Sequence, residues 1–143
     1  MSSYPENATT GRDRVERHAP RMLSVLRIMS GLLLLAHGTQ KFLGFPGGDY
    51  AGSGWSFAQL GAYAGLVELG AGALIALGLF TRPAAFLASG TMAFAYFLGH
   101  ASQSFWPVNN GGDAAILYCF VFLYLVFAGP GPISLDARRK RLP

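Results

Sequence analysis

The sequence predicts an all-α fold, an integral membrane four-helix bundle with both termini on the cytoplasmic side of the inner (cytoplasmic) membrane. Composition is the first observation behind this. Of 143 residues, 52% are hydrophobic and 13% charged, and the mean hydropathy is +0.36, a balance that a water-soluble domain of this size seldom tolerates. Charge placement is the second. Between Phe42 and Ala128 the ionised candidates reduce to Asp49, Glu68, Arg82 and Asp113, while basic residues crowd the two ends. The third is a set of four apolar runs, at roughly 22–44, 57–80, 84–100 and 113–129, each near the ~20 residues that cross a hydrocarbon layer as a helix.

Residues 1–20 are polar and arginine-bearing and lack the apolar core of a cleavable signal peptide, so a disordered cytoplasmic segment is expected there and the first span must direct insertion. Residues 21–130 carry the membrane domain and 131–143 a basic cytoplasmic tail. FPGGDYAGSG separates the first two spans, the TRP corner at Thr81–Pro83 the second and third, and SQSFWPVNNGG the third and fourth. Pro83 suits the first turn of a helix, where its missing N–H costs nothing, and so short a corner makes spans two and three antiparallel neighbours. Arg12, Arg14, Arg17 and Arg21 precede the first span, Arg82 sits in the corner, and Arg138, Arg139, Lys140 and Arg141 follow the fourth, whereas residues 101–112 hold no Lys or Arg. Positive residues mark cytoplasmic loops, so both ends are placed inside, and Tyr50, Trp55, Phe105 and Trp106 fall at the outer interface.

The pI of about 9.6 is explained by cytoplasmic retention and attraction to anionic lipid, and a nucleic-acid partner is not expected. A single cysteine, Cys119, excludes an intrachain disulfide or a CxxC redox pair.

An ionised side chain in the hydrocarbon layer costs at least about 2.5–3.5 kcal/mol, so each needs a partner or a wet cavity. Arg27, Ser30, Leu34, His37 and Lys41 recur at helical spacing and share a face. In the second span Gly61, Gly65, Glu68, Gly72 and Ala76 do the same, placing one carboxylate near the midplane of a small-residue face. Glu68 is expected to face the first span and to be compensated by Arg27, His37 or Lys41. Tyr96 and His100 lie toward the outer end of the third span, and Asn110 and Asp113 open the fourth, where a carboxylate is favoured by the helix dipole. His37, Gln40, Lys41, Glu68, Tyr96, His100, Asn110 and Asp113 are therefore expected to line a polar cavity open to the periplasm, with walls from Phe94, Phe97, Phe120 and Phe122. Such a cavity suits a flat, partly polar ligand.

Each signal has a plainer explanation. Glu68 and Arg27 can lock helices through a structural ion pair, and Arg27 and Lys41 can reach the interfaces as anchors. His37 and His100 are by default satisfied hydrogen-bonding groups, and neither haem nor a metal is expected. Asp113 can be a helix cap, the tyrosines core or interface residues, and the C-terminal basic run a topology anchor.

At HGTQK (His37–Lys41), ELGAGALIALGLFTRPAA (Glu68–Ala85) and NNGGDAAILY (Asn109–Tyr118) the chain resembles the DoxX family of small bacterial membrane proteins, over roughly residues 22–129. The combination of the three motifs is specific where each alone is weak. Family members often carry Glu where this chain has Asp113. The resemblance implies a four-helix membrane protein associated with quinone-linked oxidation: the related DoxD and DoxA subunits form a thiosulfate:quinone oxidoreductase, and other relatives are linked to quinone detoxification or oxidative-stress assemblies.

The function expected is thus that of a membrane component of a quinone-linked oxidoreductase system, a subunit that binds a quinone or similar small ligand in the outer cavity. Glu68 and His37 would handle protons, because reduction of a quinone consumes two protons with two electrons, while Lys41, Gln40, Tyr96, His100, Asn110 and Asp113 would hold the ligand. Expected partners are the lipid bilayer, a soluble or membrane redox protein and further copies of the chain. The alternatives are a non-catalytic membrane anchor or scaffold for soluble redox proteins, and a small-molecule permease gated by Glu68.

Overall fold

A computed structural model describes residues 11–140 of the chain. The described residues are all-helical: α1 (Gly11–Leu43), a short 3-10 turn (Ser53–Trp55), α2 (Leu60–Leu77), α3 (Thr81–Ala95) continuing into a π-turn (Tyr96–His100), α4 (Pro107–Asn110), α5 (Asp113–Ala128) and α6 (Leu135–Arg139). α1 takes in the last ten of the residues expected to be disordered and runs through Pro20. Residues 11–20 are therefore helical, because Arg, Glu and Ala are good helix formers and a single proline removes only one hydrogen bond of the ladder. The first ten residues, and Arg141 of the tail, lie outside the described residues.

The long helices pack in chain order, α1 on α2, α2 on α3 and α3 on α5, while α1 and α5 meet only sparingly. Backbone contact dominates the first interface. A Cβ added at Gly31 would lie 2.5 Å from the Ala76 amide nitrogen, one at Gly38 2.5 Å from that of Leu69, and one at Gly72 2.7 Å from that of Leu35. Three missing side chains thus allow the two antiparallel backbones to touch. Behind this seam, Ala84, Ala85 and Ala88 of α3 leave room for Phe122 and Leu125 of α5, which join Leu34, Ala71, Ile75 and Met92 in one buried cluster.

The turn from α2 to α3 is shaped by two left-handed residues. Gly78 closes α2 at φ 68°, and the Leu79 amide returns to the Leu74 carbonyl at 2.9 Å, the double closure typical of a glycine C-terminus. Phe80, with φ 48°, is the costlier one for a side chain to adopt. Its amide donates to Asp136 Oδ1 and that of Thr81 to Oδ2, both at 2.9 Å, so a carboxylate from α6 satisfies the open amides at the start of α3. Arg139 lies 5.2 Å over the Phe80 ring.

Large apolar side chains cover the outward faces, among them Leu32, Leu33, Leu66, Phe86, Leu87, Phe94, Leu117 and Phe127, all exposed. Two helical stretches, Val15–Leu43 and Leu60–Leu77, are long and apolar enough to cross a membrane, and Asp113–Ala128 is a shorter apolar helix. A surface of this kind is stable in a bilayer and not in water.

Candidate functional site

Glu68 is buried in the α2 face that meets α1, and its carboxylate accepts from Lys41 Nζ at 2.8 Å (Oε1) and 2.6 Å (Oε2). Antiparallel packing through Gly38 sets this pairing: with residue 38 against Leu69, the next turn of α1 brings residue 41 level with Gly65 and Glu68. Of the three partners expected for Glu68, Lys41 is the one it takes.

Arg27 corrects the expectation of an ion pair and also that of an interfacial anchor, for it is fully buried and its partners are carbonyl oxygens. Nε donates to Pro130 at 2.8 Å, Nη1 to Ile75 and to Ala76 (2.7 Å), and Nη2 to Ile133. Ile75 and Ala76 lie in the last turn of α2, where carbonyls run out of helical amides, so the guanidinium caps that helix alongside the Gly78 amide while holding the segment after α5. Ser24 Oγ accepts from the Ile133 amide at 3.1 Å one turn earlier on α1. Arg82 caps α5 in the same way, through the Val126 and Phe127 carbonyls.

The expected outer-half residues do not converge on one cavity, because most of them hold loops. Tyr96 donates its hydroxyl to the Phe105 carbonyl at 2.8 Å, and His100 Nδ1 lies 2.9 Å from the Asn110 carbonyl. Asn110 donates through Nδ2 to Ser104 O at 2.6 Å and accepts from the Gly112 amide at 2.7 Å. Gln40 donates to the Gly47 carbonyl at 2.9 Å. Asp113 is exposed in the first turn of α5. The expected aromatic walls separate as well: Phe94, Phe97 and Phe120 point outward and Phe122 is in the core. The irregular loop between α3 and α5 leaves the Ser104, Phe105 and Asn110 carbonyls to side chains, because a backbone outside a helical ladder must find other partners.

His37 is exposed rather than turned into the bundle. The face of α1 that meets α2 is centred on Gly31, Leu34 and Gly38, and residue 37 is rotated to its flank, where the imidazole meets the Tyr118 ring edge-on at 6.3 Å between centroids. Tyr118 in turn stacks on Phe122 at 5.6 Å. Below this pair runs an apolar groove of about 330 Å³ between α1 and α5, lined by Met29, Ser30 and Leu33 on one side and Leu117, Tyr118 and Val121 on the other. A second cleft, of about 520 Å³, lies beside Arg27, Ser134 and Arg138, at the end of the molecule that holds α6. Glu68, Lys41 and the outer-loop residues line neither. Among the described residues, no group of three or more His, Cys, Asp or Glu side chains could hold a metal ion.

Sequence reasoning set Tyr118 aside as a core or interface residue and did not single out Ser24, Ser134 or Asp136. Tyr118 could have been raised by its place in the NNGGDAAILY motif. The roles of the other three depend on which helix ends lie opposite them, and no spacing within the chain carries that.

Helices long and apolar enough to span, together with outward faces clad in Leu and Phe, suit an integral membrane protein, the class to which the named relatives belong. Residues 22–101 match the DoxX family, and the chain belongs to that family. It is similar to an uncharacterised protein of Haemophilus influenzae, 42% identical over 127 residues, covering 87% of this chain and 95% of that one. An uncharacterised membrane protein of Mycobacterium tuberculosis is 31% identical over 85% of this chain and 83% of its own length. The inner membrane protein YphA of Escherichia coli K12 is 35% identical over 83% and 91% respectively. No solved structure is significantly similar to the chain.

Proposed function

We propose that the protein is a multi-pass component of the bacterial inner membrane, with both termini cytoplasmic, that binds a quinone or similar lipophilic ring compound for a quinone-linked oxidoreductase system. The observation that carries this reading is the His37–Tyr118 pair at the α1–α5 groove. Neither polar group has a hydrogen-bond partner among the described residues, and polar groups at membrane depth are costly unless paired. A ring bearing two carbonyls would supply acceptors for both, and an apolar tail would lie along Met29, Leu33 and Leu117. On this reading the ligand lies in a groove open to lipid and not in the periplasm-facing polar cavity expected from the sequence.

His37 can give and take a proton at a ligand oxygen, and Tyr118 donates a hydrogen bond that orients the ring. One helical turn along α1, outside the groove, the Lys41–Glu68 pair is a fixed charge couple that holds α1 on α2. The two electrons needed to reduce a quinone to its quinol come from a partner redox protein, with two protons taken up in the same event. A quinone carrying a photoreactive group tests the reading. It should label α1 and α5 near His37 and Tyr118 saturably, and His37→Ala with Tyr118→Phe should lower labelling about tenfold with helix content unchanged. Labelling that ignores both substitutions would remove the proposal.

The second reading, a membrane anchor or scaffold for soluble redox proteins, is favoured by the engagement of Tyr96, His100, Asn110 and Gln40 with loop carbonyls. It expects the His37 and Tyr118 variants to function normally and a shortened basic tail to be inactive.

A further inference from the structure

We infer that the 520 Å³ cleft at the end of the molecule holding α6 is a binding site for an anionic phospholipid, with the phosphate at Arg138 and the acyl chains against the α1–α2 surface. The cleft is lined by Arg138, Ser134 and the buried Arg27 together with Ile28, Leu77 and Ile133, so charge and apolar wall lie in one depression. Leu77 and Ile133 are more than half exposed, which gives acyl chains a surface to follow out into the bilayer.

The groups that would repel a phosphate at this place are already engaged. The carbonyls of Ile75, Ala76, Pro130 and Ile133 all accept from Arg27, and the Asp136 carboxylate accepts from the Phe80 and Thr81 amides. Arg138 has no ion-pair partner among the described residues. A buried guanidinium under the floor and a free one at the rim therefore leave a net positive field in the cleft. Basic pockets between membrane helices near the charged surface suit anionic head groups. Arg17, Arg21, Arg139 and Lys140 lie on the same side of the molecule, on the early turns of α1 and around α6.

The test uses the full chain, purified and delipidated in a neutral detergent, with retention of phosphatidylglycerol and phosphatidylcholine read by native mass spectrometry. Phosphatidylglycerol should be retained as one saturable copy in preference to phosphatidylcholine. Arg138→Gln should weaken that retention about fivefold, the effect of one basic side chain at an anionic surface. Arg17→Gln, an equal change of net charge outside the cleft, should leave it unchanged. Equal losses from the two substitutions would mean diffuse surface attraction and would overturn the site, as would equal retention of both lipids. Inorganic phosphate that displaces phosphatidylglycerol at millimolar concentration would overturn the lipid assignment in favour of a simple anion site.

Discussion

Two cations in α1, Arg27 fully buried and Lys41 partly so, end up with different kinds of partner, and the difference decides what each does. Lys41 meets a carboxylate, so removal of either member strands the other's charge. Glu68→Gln is expected to destabilise the protein by about 3 kcal/mol, whereas Lys41→Met combined with Glu68→Leu should recover most of that loss. Unfolding in detergent compared across the three variants checks this, and a double variant no better than the single one would mean that the pair is not the source of the loss. Arg27 meets four carbonyls, a geometry that requires the planar fork, and Arg27→Lys is expected to cost nearly as much as Arg27→Ala. Asp136 lies outside the helices that span. Its burial raises the carboxyl pKa, but hydrogen bonds from Thr81 and Phe80 and the charge of Arg139 outweigh this and hold it below the ordinary 3.8. A depressed folded value gives stability that is fully present above pH 4 and is lost as pH falls through the folded pKa. Melting temperature followed from pH 7 to pH 3 should fall in the native chain, and Asp136→Asn should begin lower and fall less over the last unit.

At the scale of elements, the α1–α2 seam is built by omission. Gly31→Ala would press a methyl against the Ala76 backbone, which cannot move without shifting α2, and a loss of about 1–3 kcal/mol is expected. Gly70 and Gly90 are glycines within helices that have open space around them. Alanine at either should be neutral or stabilise by up to about 1 kcal/mol, so thermal unfolding of the three variants separates packing from propensity. Helix ends follow a second logic. Arg27 and Arg82 close the C-termini of α2 and α5 from neighbouring helices, and Asp136 closes the N-terminus of α3. Each cap is therefore a tertiary contact, and the helices are held at their ends by the same bonds that place them beside each other. The outer loop is held likewise by Tyr96, His100 and Asn110, residues that look like a site in the sequence because they are polar and lie at one depth.

For the whole molecule, the weak α1–α5 contact matters most. A ring of helices closed on itself would hide His37, whereas the open edge leaves it exposed beside Tyr118. The proposed orientation carries its own check. In a chain with Cys119 replaced by Ala, Ser102→Cys should react with a membrane-impermeant maleimide from the periplasmic side, and Lys140→Cys only after permeabilisation. The reverse labelling would turn the molecule over and place the His37 end of the groove toward the cytoplasm.

The sequence by itself determined the helical membrane character, the approximate extents of the long helices, the family, and the fact that Glu68 needed a cation. These follow from composition, helical period and local breaking signals, each a property of neighbours along the chain. Tertiary structure alone decided that the cation is Lys41, that Arg27 serves backbone carbonyls, and that His37 faces outward. A helical period places residues on a common face to within one or two positions, but the register between two helices depends on which backbones come closest. Here Gly31, Gly38 and Gly72 set that approach, and the turn of α1 that it selects brings Lys41 to the carboxylate and leaves the imidazole exposed against the Tyr118 ring.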